Sequence, residues 1–324
     1  MDIKDHSKSN MQKVAMTALA GTSIEWYDFF LYGAAAALIF PTAFFGEATP
    51  STALILSLLT FAAGFIARPI GGIIFGHYGD RVGRKKTLVI ALILMGVSST
   101  LIGLLPTYAM IGVTAPILLT SLRFAQGLAI GGQWGGAMLL VTESAPSEKR
   151  GYYGAFAQAG APVGVILANL AFIITSSLVS EESFYSWGWR IPFLASAILI
   201  AISMYIQLNL EDTKAFKELE AMRESHENNN EVVQRSPILE AIKKYPNRIA
   251  LAAGAFLSIQ VTFYILIAFL LAYGVSSTEI SRDDMLAAVL IASAIMVPSQ
   301  FVSSSYSDRN GRKGIFMAGA IFTG

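Results

Sequence analysis

Apolar residues along this 324-residue chain come in long unbroken runs separated by short polar stretches. A bilayer core of roughly 30 Å takes about 20 mostly apolar residues per helix, and that length criterion parses the chain. It predicts helices near 15–40, 52–76, 87–105, 111–141, 151–178, 190–210, 248–273 and 284–304, and the start of a ninth near Gly314. Pro106 and Pro116 flank a short turn, which separates the third helix from the fourth. One break is unlike the others. From Glu211 to Asn247 the chain is polar and rich in Glu, Lys and Asn, the pattern of a partly helical, partly disordered connector. The expected division is therefore a tail over 1–14, a six-helix bundle over 15–210, a linker over 211–247 and a second, truncated bundle over 248–324. The chain stops at Gly324 inside an apolar run, so on its own it is not expected to transport anything.

Composition agrees with a lipid environment: 54% of residues are hydrophobic and 14% charged, with a mean hydropathy of +0.56. A net charge of +1 gives no general affinity for nucleic acid. The absence of cysteine removes disulfides and thiolate chemistry. The three histidines, His6, His77 and His226, lie in or beside loops, and neither a His-Glu-x-x-His pattern nor a Gly-x-Ser-x-Gly turn occurs. An intramembrane enzyme and a metal site are thus not expected, and with no nucleotide-binding loop direct use of ATP is not expected either.

Basic residues set orientation, because short cytoplasmic loops collect Lys and Arg. Nineteen of them fall on the side of the amino terminus and only Arg190 and Arg282 on the other, leaving Arg68 and Arg123 within helices. The amino terminus is therefore expected in the cytoplasm, with the chain a multi-pass protein of an inner cell membrane.

A loop recurs. Gly79-Asp80-Arg81-Val82-Gly83-Arg84-Lys85 follows the second helix and Ser307-Asp308-Arg309-Asn310-Gly311-Arg312-Lys313 follows the eighth. Glycine permits a tight turn, the basic residues face headgroups, and Asp80 is placed to accept hydrogen bonds from a neighbouring helix end. Two copies at matching positions mean a duplicated architecture. Asp80, Arg81, Arg84, Asp308, Arg309 and Arg312 are the candidate cytoplasmic gate. Arg68 joins them either as a gate contact or as a side chain snorkelling to the interface.

The segment Gly76 to Lys86 resembles the signature loop of the major facilitator superfamily. Gly21 to Phe29, Ala67-Arg68-Pro69-Ile70-Gly71-Gly72, Arg123 to Gly136 and Ser186 to Phe193 are similar to its metabolite:proton symporter family, whose members carry shikimate, α-ketoglutarate, citrate and proline or betaine. The resemblance implies an all-α membrane fold of twelve helices in two bundles, about eight complete here. It also implies alternating access driven by the proton gradient without a cofactor, a small-molecule substrate and a monomer. Where that family commonly has Glu, this chain has Gln133, so a coupling role at that position is in doubt.

Charged groups inside the span carry the remaining chemistry. Glu25 and Asp28 lie three apart on the first helix, on one stripe with Gly21 and Tyr32, and Arg123 lies at similar depth on the fourth helix with Gln126 and Gln133. Each such ion costs on the order of 2.5–3.5 kcal/mol at a helix centre. The expectation is a proton-accepting Glu25 and Asp28 cluster, with Arg123 pairing to it or to a substrate carboxylate; a permanent structural ion pair is the alternative. Tyr32, Arg123, Gln126, Gln133, Gln158, Asn169, Gln260 and Tyr264 are candidate substrate contacts. For Gln158, Asn169, Gln260 and Tyr264, interhelical hydrogen bonding is equally compatible. Gly127, Gly131 and Gly135 form a packing stripe, and Trp187 and Trp189 are expected at the outer interface. The resulting reading is a proton symporter of a small carboxylate such as an organic acid or shikimate-like compound. A zwitterion carrier, a channel, a non-transporting receptor and an inactive truncated chain are the alternatives.

Overall fold

The computed structural model describes residues 3–82, 84–208 and 243–323, and the side chains among them other than those of 3–10, 79–82, 84–86, 88, 133–137, 139, 140, 143, 206–208, 258, 276 and 323. The linker expected over 211–247 lies almost wholly outside the described residues. So do the side chains of Asp80, Arg81, Arg84 and Gln133.

Among the described residues every regular element is helical, as it must be where no water can satisfy an exposed backbone. The long helices are α1 (Ile3–Leu38), α2 (Pro50–Val82), α3 (Arg84–Leu104), α4 (Thr114–Ser144), α5 (Arg150–Leu178), α6 (Arg190–Leu208), α7 (Pro246–Tyr264), α8 (Arg282–Asn310) and α9 (Arg312–Thr323). The stretches Pro50–Tyr78, Ser147–Leu178, Pro246–Val275 and Arg282–Asn310 are each long and apolar enough to cross a bilayer.

Several boundaries differ from the hydropathy pattern for local reasons. Helix α1 begins at Ile3, inside the stretch expected to be a tail. The repeated loop is not a loop of any length. Helix α2 runs to Val82 and α3 begins at Arg84, and in the second copy α8 runs to Asn310 and α9 begins at Arg312. In the second copy the break between the two helices falls on Gly311 alone, whose φ of 83° only glycine adopts without strain. Helix α7 passes through a π-helical turn, Ile265–Phe269, before continuing as Leu270–Ser277. Helix α8 starts with a cap of the usual kind: the Ser281 side chain accepts from the Asp284 amide, with Asp283 and Asp284 in the first turn.

Close packing comes from glycine. Helices α2 and α4 lie so near that a Cβ on Gly71 would overlap the Leu128 carbonyl, one on Gly127 the Gly64 carbonyl, and one on Gly131 the Arg68 carbonyl. Helices α1 and α5 meet likewise: Gly160 faces Thr22, and a Cβ on Gly164 would come 2.6 Å from that of Trp26. The Tyr27 hydroxyl donates to the Pro192 carbonyl at 2.9 Å, tying α1 to α6. Trp189 is not at an interface. It is fully buried against Phe40, Phe44 and Phe193, while Trp187 stays half exposed.

Gly127→Ala should lower the unfolding free energy in detergent by about 1–3 kcal/mol through overpacking. Gly76→Ala, with open space around it, should be neutral or slightly stabilising. Equal thermal-unfolding midpoints for the two variants would contradict the packing described.

Candidate functional site

Three of the predicted helices bring their charged residues into one desolvated cluster. Arg123, on α4, is fully buried. Its guanidinium carbon lies 4.4 Å from the centre of the Phe29 ring, 4.4 Å from that of Tyr32 and 4.6 Å from that of Phe61. Gly64 on α2 makes the room, because a Cβ there would sit 2.7 Å from Arg123 Nε. Cation–π contacts are worth about 2 kcal/mol each when desolvated, so three rings offset much of the cost of a cation at this depth. The Arg123 Nη1 donates to Gln126 Oε1 at 3.1 Å, and Gln126 Nε2 donates to Ser99 Oγ on α3 at 2.7 Å. Arg123 Nε and Nη2 are buried without a partner.

Asp28 is also buried, and neither of its oxygens has a hydrogen bond. The hydroxyls of Ser99 and Ser196 face it. No ion pair joins Asp28 to Arg123 within 4 Å among the described residues. Gln126 and Ser99 stand between the two charges: Ser99 accepts from Gln126, so its own hydroxyl hydrogen is free to turn toward Asp28. Glu25, one turn away on α1, is buried.

Arg68 does not snorkel. Its guanidinium carbon lies 4.2 Å from the Phe29 ring centre, 4.9 Å from Phe65 and 5.5 Å from Trp26. Its Nε and Nη2 are likewise buried and unpartnered. Of the two readings the sequence left for Arg68, a gate contact or a snorkelling side chain, the second required it to lie near the cytoplasmic end of its helix. Helix α2 continues well beyond it, and nothing in the spacing announced that Phe29 separates it from Arg123.

The remaining candidates divide. Tyr32 donates to Thr60 Oγ1 at 2.7 Å, inside the first bundle. Tyr264 packs on Phe65 with ring centres 4.8 Å apart, and its buried hydroxyl lies beside the Arg68 guanidinium without a hydrogen bond of good geometry. Asn169 on α5 is buried with Nδ2 unpartnered. Asn169 and Tyr264 line a small cavity with Phe30, Phe61, Ala268 and Leu271, of about 10 Å³, barely the size of one water. Gln158 and Gln260 are half-buried and do not line it.

On the side of the repeated loop, Asp308 accepts from the Gly151 and Tyr152 amides at 2.8 Å each, at the first turn of α5. A side chain at Gly151 would displace it, as a Cβ there would lie 2.6 Å from Asp308 Oδ1. The Phe156 and Phe301 rings, 4.8 Å apart, extend the same seam. Arg309 and Arg312 are exposed. At the opposite end of α8, Arg282 stacks on Phe184 at 4.6 Å. Helix α8 is thus held near both of its ends, by Asp308 on the first turn of α5 and by Arg282 on Phe184.

The family model of the Major Facilitator Superfamily matches residues 18–324. The chain belongs to the major facilitator superfamily. Among curated relatives it is 40% identical over 312 residues to the inner membrane metabolite transport protein YhjE of Escherichia coli K12, covering 94% of this chain and 68% of YhjE. It is 36% identical over 322 residues to the shikimate transporter of the same organism, covering 97% of this chain and 70% of that one. The solved proton:xylose symporter XylE, bound to 6-bromo-6-deoxy-D-glucose, superposes with a TM-score of 0.66 at 18% identity over 95% of this chain and 71% of XylE. As a member of the major facilitator superfamily the chain is a multi-pass membrane transport protein for small molecules and not an enzyme, and its resemblance to the metabolite:proton symporter family holds.

Gln126→Leu should leave both Arg123 Nη1 and Ser99 without their partner and lower stability by about 1–3 kcal/mol. The loss is read as an earlier thermal-unfolding midpoint in detergent. An unchanged midpoint would show that the ladder from Arg123 to Ser99 does not hold the cluster.

Proposed function

We propose that the transporter to which this chain belongs is a proton-coupled symporter of a small carboxylate, working by alternating access. One observation carries the reading: a fully buried arginine whose Nε and Nη2 have no partner, near a small cavity on the seam of α1, α5 and α7. A carboxylate meets that pair of N–H groups with two parallel charge-assisted bonds. Asp28 is the proton carrier in this scheme. While it is ionised it balances Arg123 through Ser99 and Gln126. Once it is protonated, the arginine's charge is free for the anionic substrate, so a proton and a monoanion enter together without changing the charge of the site. The gradient supplies the energy, and no cofactor is required.

The basic residues crowd one side of the membrane, which supports a cytoplasmic amino terminus in an inner cell membrane. The same side holds Asp308, which we read as part of the cytoplasmic gate, fastening α8 to α5 when that face is shut. A division into a six-helix bundle, a linker and a second bundle, acting as a monomer, completes the proposal. A zwitterion such as betaine is a second reading, favoured by the rings of Phe29, Phe61 and Phe65, which suit a quaternary ammonium. In this structure arginines occupy those faces, which is why the carboxylate is preferred.

In proteoliposomes containing the full-length protein, uptake of a carboxylate substrate should exceed equilibrium under an inward proton gradient and collapse with a protonophore. Asp28→Asn should lose that accumulation while keeping substrate exchange, whereas Arg123→Gln should lose both. Proton-driven accumulation that survives Asp28→Asn would remove Asp28 from the coupling step.

The gate has its own test, helped by a sequence without cysteine. Ser293, buried on α8, is replaced by Cys and alkylated from the cytoplasmic face. Adding Asp308→Ala should raise the rate on the order of tenfold, since two charge-assisted bonds are lost. An unchanged rate would mean that Asp308 does not hold the seam shut.

A further inference from the structure

Two serine hydroxyls on different helices face a carboxyl group whose oxygens both lack a hydrogen bond: Ser99 on α3 and Ser196 on α6 face Asp28 on α1. All three side chains are shut off from solvent. Neither hydroxyl hydrogen is firmly committed elsewhere. Ser99 is the acceptor in its bond from Gln126. Ser196 donates to the Pro192 carbonyl at 3.4 Å, long beside the about 2.7–2.8 Å of an ordinary O–H···O bond, and the Tyr27 hydroxyl already donates to that carbonyl at 2.9 Å.

A carboxyl group asks for different neighbours in its two states. Ionised, it only accepts; protonated, it carries a donor of its own. A hydroxyl meets both by rotating, and a site closed to solvent needs such a group within reach when the charge changes. Charge also reaches Asp28 from Arg123 on α4. Glu25 and Tyr27 share its helix, Arg68 on α2 and Tyr264 on α7 reach the neighbouring Phe29 ring, and α5 meets this part of α1 with Gly160 and Gly164. Ser99 is tied to the ladder from Gln126 to Arg123. Ser196 is therefore the group that can change partner without disturbing the arginine.

We infer that Ser196 is a positioning residue for the coupling proton: its hydroxyl turns from the Pro192 carbonyl to Asp28 when the carboxyl gives up its proton, and returns when the carboxyl takes one. The serine passes no proton itself. This rests on Asp28 as the proton carrier and deepens that reading. By supporting the charged form, Ser196 lets Asp28 release the proton it has carried. In turning, it drops or restores one of two bonds on a carbonyl in the first turn of α6, the same carbonyl through which Tyr27 ties α6 to α1.

The probe is the proton itself. In detergent-solubilised full-length protein, the carboxyl band of Asp28, identified as the one missing from Asp28→Asn, is followed by infrared difference spectroscopy across pH. Ser196→Ala should raise the pH at which that band titrates by about one unit, a gain of about tenfold in proton affinity from the loss of one hydrogen bond to the charged form. Ser196→Thr should restore the midpoint. Ser196→Cys, a weaker donor, should give a smaller rise, and serves if the alanine variant does not fold. Tyr27→Phe removes the shorter bond to the same carbonyl, so it should lower the thermal-unfolding midpoint and leave the titration in place. A titration unmoved by Ser196→Ala, or moved as far by Tyr27→Phe, would overturn the inference and leave Asp28 as proton carrier. If Asp28→Asn removes no titrating band, the proton-carrier reading falls and the inference with it.

Discussion

A guanidinium cation deep in a membrane protein has to be met by something other than water, and what meets Arg123 organises the rest of this structure. Its faces are covered by Phe29, Tyr32 and Phe61 and one nitrogen is held by Gln126, so the charge is kept in place without a carboxylate in contact. That arrangement differs from a buried salt bridge in its consequences. A direct ion pair would be satisfied and inert, whereas a cation stabilised by ring faces and one amide keeps an edge in reserve. Asp28 lies beyond the Ser99 hydroxyl on which that ladder ends, and is not in ion-pair contact with the charge.

The cluster depends on backbones that approach closely. Gly64 gives Arg123 its space, and Gly71, Gly127 and Gly131 let α2 and α4 touch along their carbonyls. In lipid there is no hydrophobic drive to bring two apolar helices together, so contact area and interhelical polar bonds decide. Small residues supply the first, and bonds such as Tyr27 to Pro192 and Gln126 to Ser99 supply the second. Helices α5 and α8 also pack extensively, and directed polar contacts are added toward the ends of α8, Asp308 onto the first turn of α5 and Arg282 onto Phe184 beyond the last turn of α5.

The helices were legible in the sequence because lipid imposes a length that hydropathy reports directly. The glycine stripe on α4 was legible for the same reason, since small residues at helical spacing have little other use in a span. Helix ends were less so: polar residues at 3–14 and 76–82 read as tail and loop, yet they continue their helices, because an exposed helical end costs nothing in water. The π-turn at Ile265–Phe269 has no composition of its own. Within the site, Asp28, Arg123, Gln126, Asn169 and Tyr264 were marked by the cost of a polar group in lipid. Their connectivity was not, since the partner Ser99 is a small hydroxyl like many others. Trp189 was misplaced by the habit of Trp to sit at interfaces, and for Arg68 the same habit suggested the snorkelling reading, which tertiary packing overrode.

The central claim is that the Nε and Nη2 edge of Arg123 is where the substrate's carboxylate binds. A structure of the full-length transporter determined by electron cryomicroscopy with the carboxylate it accumulates tests this directly. The account predicts carboxylate oxygens at hydrogen-bonding distance, about 2.7–2.9 Å, from both nitrogens, with the rings of Phe29 and Phe61 still against the guanidinium. A substrate bound elsewhere, with that edge of Arg123 still turned toward protein alone, would contradict it.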